Sequence, residues 1–133
     1  MRQIVLAPLA MIVVAGCMQT ANPEAAASAD AKLQAALAGR TPEAPVGCVS
    51  QRLLRGNKGF GTATIVFESQ SRNLVYVNHP PGGCPELDSF RALRTRTTTD
   101  QLCRGDIVSV FDPTSGIEYG SCGLGDFIPY RSR

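Results

Sequence analysis

Along residues 62–68 the chain alternates, with Ala63, Ile65 and Phe67 on one side of an extended backbone and Thr62, Thr64 and Glu68 on the other. A period of two marks a strand with one buried face. The polar stretch Ser69, Gln70, Ser71 and Arg72 separates this run from a second at 73–78, so the two predict a hairpin. Runs at 93–97, 106–111 and 118–124 share its β-branched and aromatic character, with turn-forming Pro113, Thr114, Ser115 and Gly116 before the last. Residues 49–54 open the series. Pro80, Pro81, Gly82 and Gly83 stop the second strand of the hairpin, and 85–91 suits one or two helical turns with Leu87 and Phe90 facing inward. Five or six short strands with tight connections predict a mainly β domain, a small curved antiparallel sheet or partly open barrel.

Upstream of this region the pattern changes twice. Residues 18–46 are rich in Ala, Pro and Ser and carry no aromatic, as a tether does. Part of it suits a helix: Asn22 can cap, Pro23 fits the first position, Glu24 complements the dipole, and Gly39 and Pro42 stop it. Only Leu33 and Leu37 give that helix an apolar stripe, so it is marginal unless docked on the domain or a partner. Residues 4–14 form a nearly unbroken apolar run after Arg2, shorter than the roughly 20 residues a bilayer span needs and suited to a secretory leader. The tetrad Val14, Ala15, Gly16 and Cys17 resembles the lipobox of bacterial lipoproteins. That resemblance implies cleavage before Cys17, diacylation of its thiol and a membrane anchor. An ordinary leader cut around 25–29 is the competing reading. The expected organisation is a signal peptide at 1–16, a lipidated and partly helical tether at 17–46, and a disulfide domain at 47–133. The same resemblance implies, by the sorting behaviour of such lipoproteins, that Met18 rather than Asp after the cysteine directs the chain to the periplasmic face of the outer membrane.

With 133 residues there is room for one small domain, whose modest core favours covalent staples. Thirteen basic and 11 acidic residues balance to +2, so charge demands no nucleic-acid partner. Beyond Cys17 the cysteines are even in number, Cys48, Cys84, Cys103 and Cys122, and an oxidising compartment makes two disulfides the default. No C-x-x-C or C-x-x-H spacing supports a metal site. Of three connectivities we favour Cys84 with Cys103, which closes a loop around the arginine-bearing strand, and Cys48 with Cys122, which joins the first strand to the last.

Catalytic signatures are weak. His79 is the one histidine and stands before Pro80 in an expected loop, Tyr119 replaces the first glycine that a G-x-S-x-G elbow around Ser121 needs, and Ile128 replaces the third glycine of a dinucleotide fingerprint. Glu86 and Asp88 read as solvated acids. We therefore assign no catalytic residue, metal or cofactor. The polar pattern above background is Arg94 and Arg96 on one strand face, with Arg91 and Arg104 near in sequence, a set of fork donors suited to phosphate or carboxylate. The blander alternative is a charged face guarding a sheet edge.

Cys48, the run Val75, Tyr76, Val77, Asn78, then Cys84 with Pro85, Leu102 with Cys103, Asp106, and the closing stretch from Ser121 through Gly125 to Pro129 together resemble a family of small exported proteobacterial proteins, a domain of unknown function. The resemblance spans residues 48–130. It implies an exported, cysteine-containing domain and carries no activity. The expected function is a lipid-anchored cell-envelope module that binds a protein, glycan or lipid head group without catalysis; the alternative is a small envelope enzyme or a modulator of one.

Overall fold

A computed structural model describes residues 22–88 and 90–133. The signal-peptide segment at 1–16, Cys17 and the tether up to 21 lie outside the described residues. Helix α1 (Pro23–Leu37) is followed by β1 (Arg40–Pro42), β2 (Cys48–Ser50), β3 (Leu54–Phe60), β4 (Thr64–Ser69) and β5 (Leu74–Asn78). Then come β6 (Ala92–Thr95), β7 (Gln101–Cys103), β8 (Ile107–Phe111), β9 (Glu118–Gly123) and β10 (Phe127–Ser132). The protein is mainly β and antiparallel, as the alternation predicts. Its strands form an open five-stranded sheet in the order β1-β10-β5-β4-β3, a three-stranded sheet β6-β8-β9 and the pair β2-β7.

The expected hairpin is β4 with β5, Phe67 standing opposite Tyr76 and Val66 opposite Val77. Ile65, Phe67 and Phe127 of the five-stranded sheet meet Leu93, Val108 and Val110 of the three-stranded sheet, and Val49 and Leu102 of the small pair, in the main core. On its other face the five-stranded sheet packs under α1, where Leu33 and Leu37 meet Phe60, Val66 and Val77. That second layer explains why β4 is buried on both faces rather than on one.

Helix α1 begins where the capping residues place it. Asn22 Oδ1 accepts from the Glu24 N–H at 3.1 Å, Pro23 holds the first position, and Gly39 at φ +74° turns the chain out of the helix. β1 then pairs with β10, Arg40 opposite Ser132. The folded unit thus extends upstream of residue 47, where the sequence reading opens the domain: two leucines suffice to dock an alanine-rich helix once an apolar sheet face lies beneath it.

The cysteine pairing differs from the expected one. Cys48 is bonded to Cys103, and Cys84 to Cys122. β2 lies antiparallel to β7 with Cys48 directly opposite Cys103, whereas β9, which carries Cys122, pairs with β8. The last strand, β10, lies between β1 and β5, neither of which contains a cysteine.

None of the described residues of 85–91 is helical, and Phe90 is 86% exposed while Leu87 is buried. Asp88 Oδ1 accepts from the Phe90 and Arg91 N–H groups, and Glu86 sits at φ +67°, so the backbone is committed to a turn. Four strands fall outside the expected series, the short β1 and β7 together with β3 and β10. β3 is an edge strand carrying Gly56, Gly59 and three polar side chains, and β10 contains Pro129, which normally argues against an interior strand. Here the Pro129 carbonyl accepts from Glu43 N–H, beyond the end of β1, so the missing proline N–H faces the ragged side of the ladder.

Candidate functional site

Where α1 ends over the five-stranded sheet, the sheet face is not fully covered. A cavity of about 200 Å³ remains, with Ala36 of α1 at one wall and Phe60, Val66, Leu74 and Val75 supplying apolar surface. Its polar lining is dominated by cations: Arg40 at the start of β1, Arg55 and Lys58 on β3, and Arg72 in the turn between β4 and β5, against the single carboxylate of Glu68. Strand alternation puts these groups here, because residues that share the α1 side of β3 and β4 project into the same layer.

The cations are unequally satisfied. Arg55 Nε pairs with Glu68 Oε2 at 3.2 Å, and Lys58 Nζ lies over the Phe60 ring at 5.4 Å from its centroid. Arg40 Nη2 donates to the Arg72 carbonyl at 3.2 Å, which ties β1 to the turn beyond β4. Its Nη1 is buried with no hydrogen-bond partner. Among the described residues, Arg40, Lys58 and Arg72 make no ion pair. A buried donor left unpaired costs about 1–3 kcal/mol, and more when the group is charged. The C-terminal end of α1 adds a partial negative charge of roughly half a unit. Against a formal excess of three positive charges among the lining residues, the cationic character prevails.

Arg94 and Arg96 stand elsewhere, on the outer face of the three-stranded sheet, and they share an internal anion. Glu118 Oε1 accepts from Arg94 Nη1 at 3.0 Å and from Arg96 Nη2 at 3.3 Å, and the Arg94 guanidinium also stacks over Phe111 at 4.4 Å. Arg104 pairs with Asp126 at 3.0 Å. Glu86 and Asp88, read as solvated acids, both hold Arg91, whose guanidinium lies 4.0 Å over the Tyr119 ring. The hydrogen bond that the Arg91 guanidinium donates to Glu86, and then the Asp88 charge, hold it above its ordinary range. With three arginines facing three carboxylates, this face is close to neutral.

His79 is exposed, and its Nδ1 meets the Thr64 hydroxyl at 3.1 Å. Among the described residues no group of His, Cys, Asp and Glu has the arrangement of a metal site. No helix of the described residues is long and apolar enough to cross a membrane. Arg94 and Arg96 are visible in the strand pattern because they are neighbours in sequence; Arg40, Arg55, Lys58 and Arg72 converge only through folding. Comparison with known proteins finds no match, whether to family models, to curated proteins or to solved structures.

Proposed function

We propose that this protein is a non-enzymatic envelope module that holds an anionic ligand in the cavity beneath the end of α1. What carries the proposal is the convergence of Arg40, Arg55, Lys58 and Arg72 on one apolar-floored cavity with Glu68 as the single lining carboxylate. An incoming oxyanion finds charge of opposite sign on β1, β3 and the turn after β4, in a site whose partial burial strengthens each interaction. The Arg94 and Arg96 cluster is weaker in this role because Glu118 already occupies its fork donors.

The address is part of the same proposal. Residues 1–16 act as a lipoprotein leader, Cys17 carries the lipid, and the domain is held at the periplasmic face of the outer membrane. Two disulfides fit an oxidising compartment. Replacing Cys17 with Ser should move the protein from the membrane fraction to the soluble periplasm or leave the precursor uncut; an unmodified mature N-terminus well downstream of Cys17 in intact-mass analysis would contradict the anchor.

Calorimetric titration tests the site. Inorganic phosphate, sulfate and acetate are added to the wild type and to the Arg40→Gln, Arg72→Gln double variant at low and at moderate ionic strength. At least one anion should bind saturably, more weakly as salt rises, and lose binding in the variant. No binding by any of the three, or equal binding by the variant, would overturn the proposal.

A further inference from the structure

The size, charge and lining of the cavity restrict what the anion can be. A volume of about 200 Å³ lies below the roughly 300 Å³ at which pockets for drug-sized ligands begin, so it seats a group rather than a whole sugar or nucleotide. The surrounding charge is three units positive and comes from every polar element around the cavity: Arg40 from β1, Arg55 and Lys58 from β3, Glu68 from β4 and Arg72 from the turn, with α1 contributing the uncharged Ala36. A single carboxylate brings one negative charge and two acceptor oxygens. A phosphate monoester brings nearly two charges near neutral pH and three terminal oxygens.

Three guanidinium groups, planar and always charged, match the oxygen-rich tetrahedral group better than a flat carboxylate, and Arg40, Lys58 and Arg72 bring charge that no carboxylate among the described residues neutralises. The other half of the lining is hydrocarbon. Phe60, Val66 and Val75 continue the apolar cluster beneath α1 to the cavity wall, so the atom that bears the phosphate sits against carbon rather than water.

We infer that the ligand is a phosphate monoester on an apolar stem, an assignment that rests on the anion-binding proposal above and narrows it. The same chemistry occurs in a lipid head group and in a soluble phosphate ester, and the two sources differ only in what the stem is attached to.

Three small probes separate ligand class from anion binding, titrated into the full chain at low ionic strength: phenyl phosphate, inorganic phosphate and benzoate. Phenyl phosphate should bind tightest, by about tenfold or more over benzoate, and its advantage should narrow as pH falls through about 6, where the ester loses its second charge. The Arg40→Gln, Arg72→Gln variant should lose that preference, and Lys58→Gln on the exposed edge strand should weaken it with the fold intact. Benzoate binding as tightly as phenyl phosphate would overturn the phosphate assignment and leave an anion site standing. Inorganic phosphate binding as tightly would overturn the apolar stem, and binding of none of the three would overturn the anion site itself. Co-sedimentation of the unacylated Cys17→Ser chain with phosphatidylcholine vesicles doped with phosphatidic acid, a monoester, or with phosphatidylglycerol, a diester, distinguishes the sources without capture by the proposed anchor. Capture by the first alone supports a lipid-borne ligand; capture by neither, with phenyl phosphate binding intact, supports a soluble ester; equal capture by both contradicts the monoester.

Discussion

Asn78 is fully buried, and both ends of its amide are engaged by one residue. Its Nδ2 donates to the Gly125 carbonyl at 2.8 Å and its Oδ1 accepts from the Gly125 N–H at 2.9 Å, which locks the loop between β9 and β10 to β5. Asn78→Ala strips partners from two buried backbone groups, so stability should fall by about 2–4 kcal/mol in denaturant unfolding. A loss within about 0.5 kcal/mol, typical of a surface change, would contradict the clamp. Gly125 itself must stay small, because a Cβ there would stand 2.6 Å from the His79 carbonyl oxygen, a backbone atom that cannot rotate away. Gly125→Ala should therefore lower the unfolding midpoint, and an unchanged midpoint would show that the backbone yields freely. In the turn before β9, Asp112 accepts from the N–H groups of Thr114 and Ser115, which hold its carboxyl below the ordinary 3.8. A lowered folded value means the contribution is present above pH 3.8 and disappears as pH falls through the folded value. The stability difference between wild type and Asp112→Ala should accordingly vanish in strong acid; a difference that persists there would place its origin in packing.

At the scale of elements, the two disulfides have similar leverage and unequal protection. Their sequence separations, 55 and 38 residues, correspond to about 4 kcal/mol each in the chain-entropy model. Cys84 is 0% exposed and Cys122 8%, whereas Cys48 stands at the surface on a three-residue strand. Limited reduction followed by alkylation and peptide mapping should label Cys48 and Cys103 first, with Cys84 and Cys122 protected until unfolding. Simultaneous labelling would mean that the two bonds open in one cooperative event. Strands with an apolar period of two, such as β4, β5 and β8, were legible in the sequence because their side chains report their own burial. β10 was not, since Pro129 is tolerated only through the accident of where β1 ends, and β3 was not, since edge position and glycines erase the alternation. The helix was legible at its cap, and its docking was not: Val66 reads as an exception on a polar face until α1 covers it. The cysteine count foretold two bonds, but partner choice depends on which strands neighbour each other, which no local pattern records.

Across the whole molecule, charge is sorted by face. The outer face of the three-stranded sheet pairs its arginines with Glu86, Asp88 and Glu118, and the face beneath α1 leaves three of its cations without an ion pair among the described residues. Arginines adjacent in sequence were visible before folding; a cluster drawn from residues 40, 55, 58 and 72 exists only once β1, β3 and β4 share a sheet. α1 forms a wall of that cavity through Ala36, near its C-terminal end. The most direct measurement is a two-dimensional amide NMR titration of the full chain with phenyl phosphate. Binding beneath α1 predicts saturable shifts concentrated at Arg40, Arg55, Lys58, Val66 and Arg72, with the signals of β6, β8 and β9 unmoved. Shifts centred instead on Arg94, Arg96 and Glu118, or absent throughout, would contradict it.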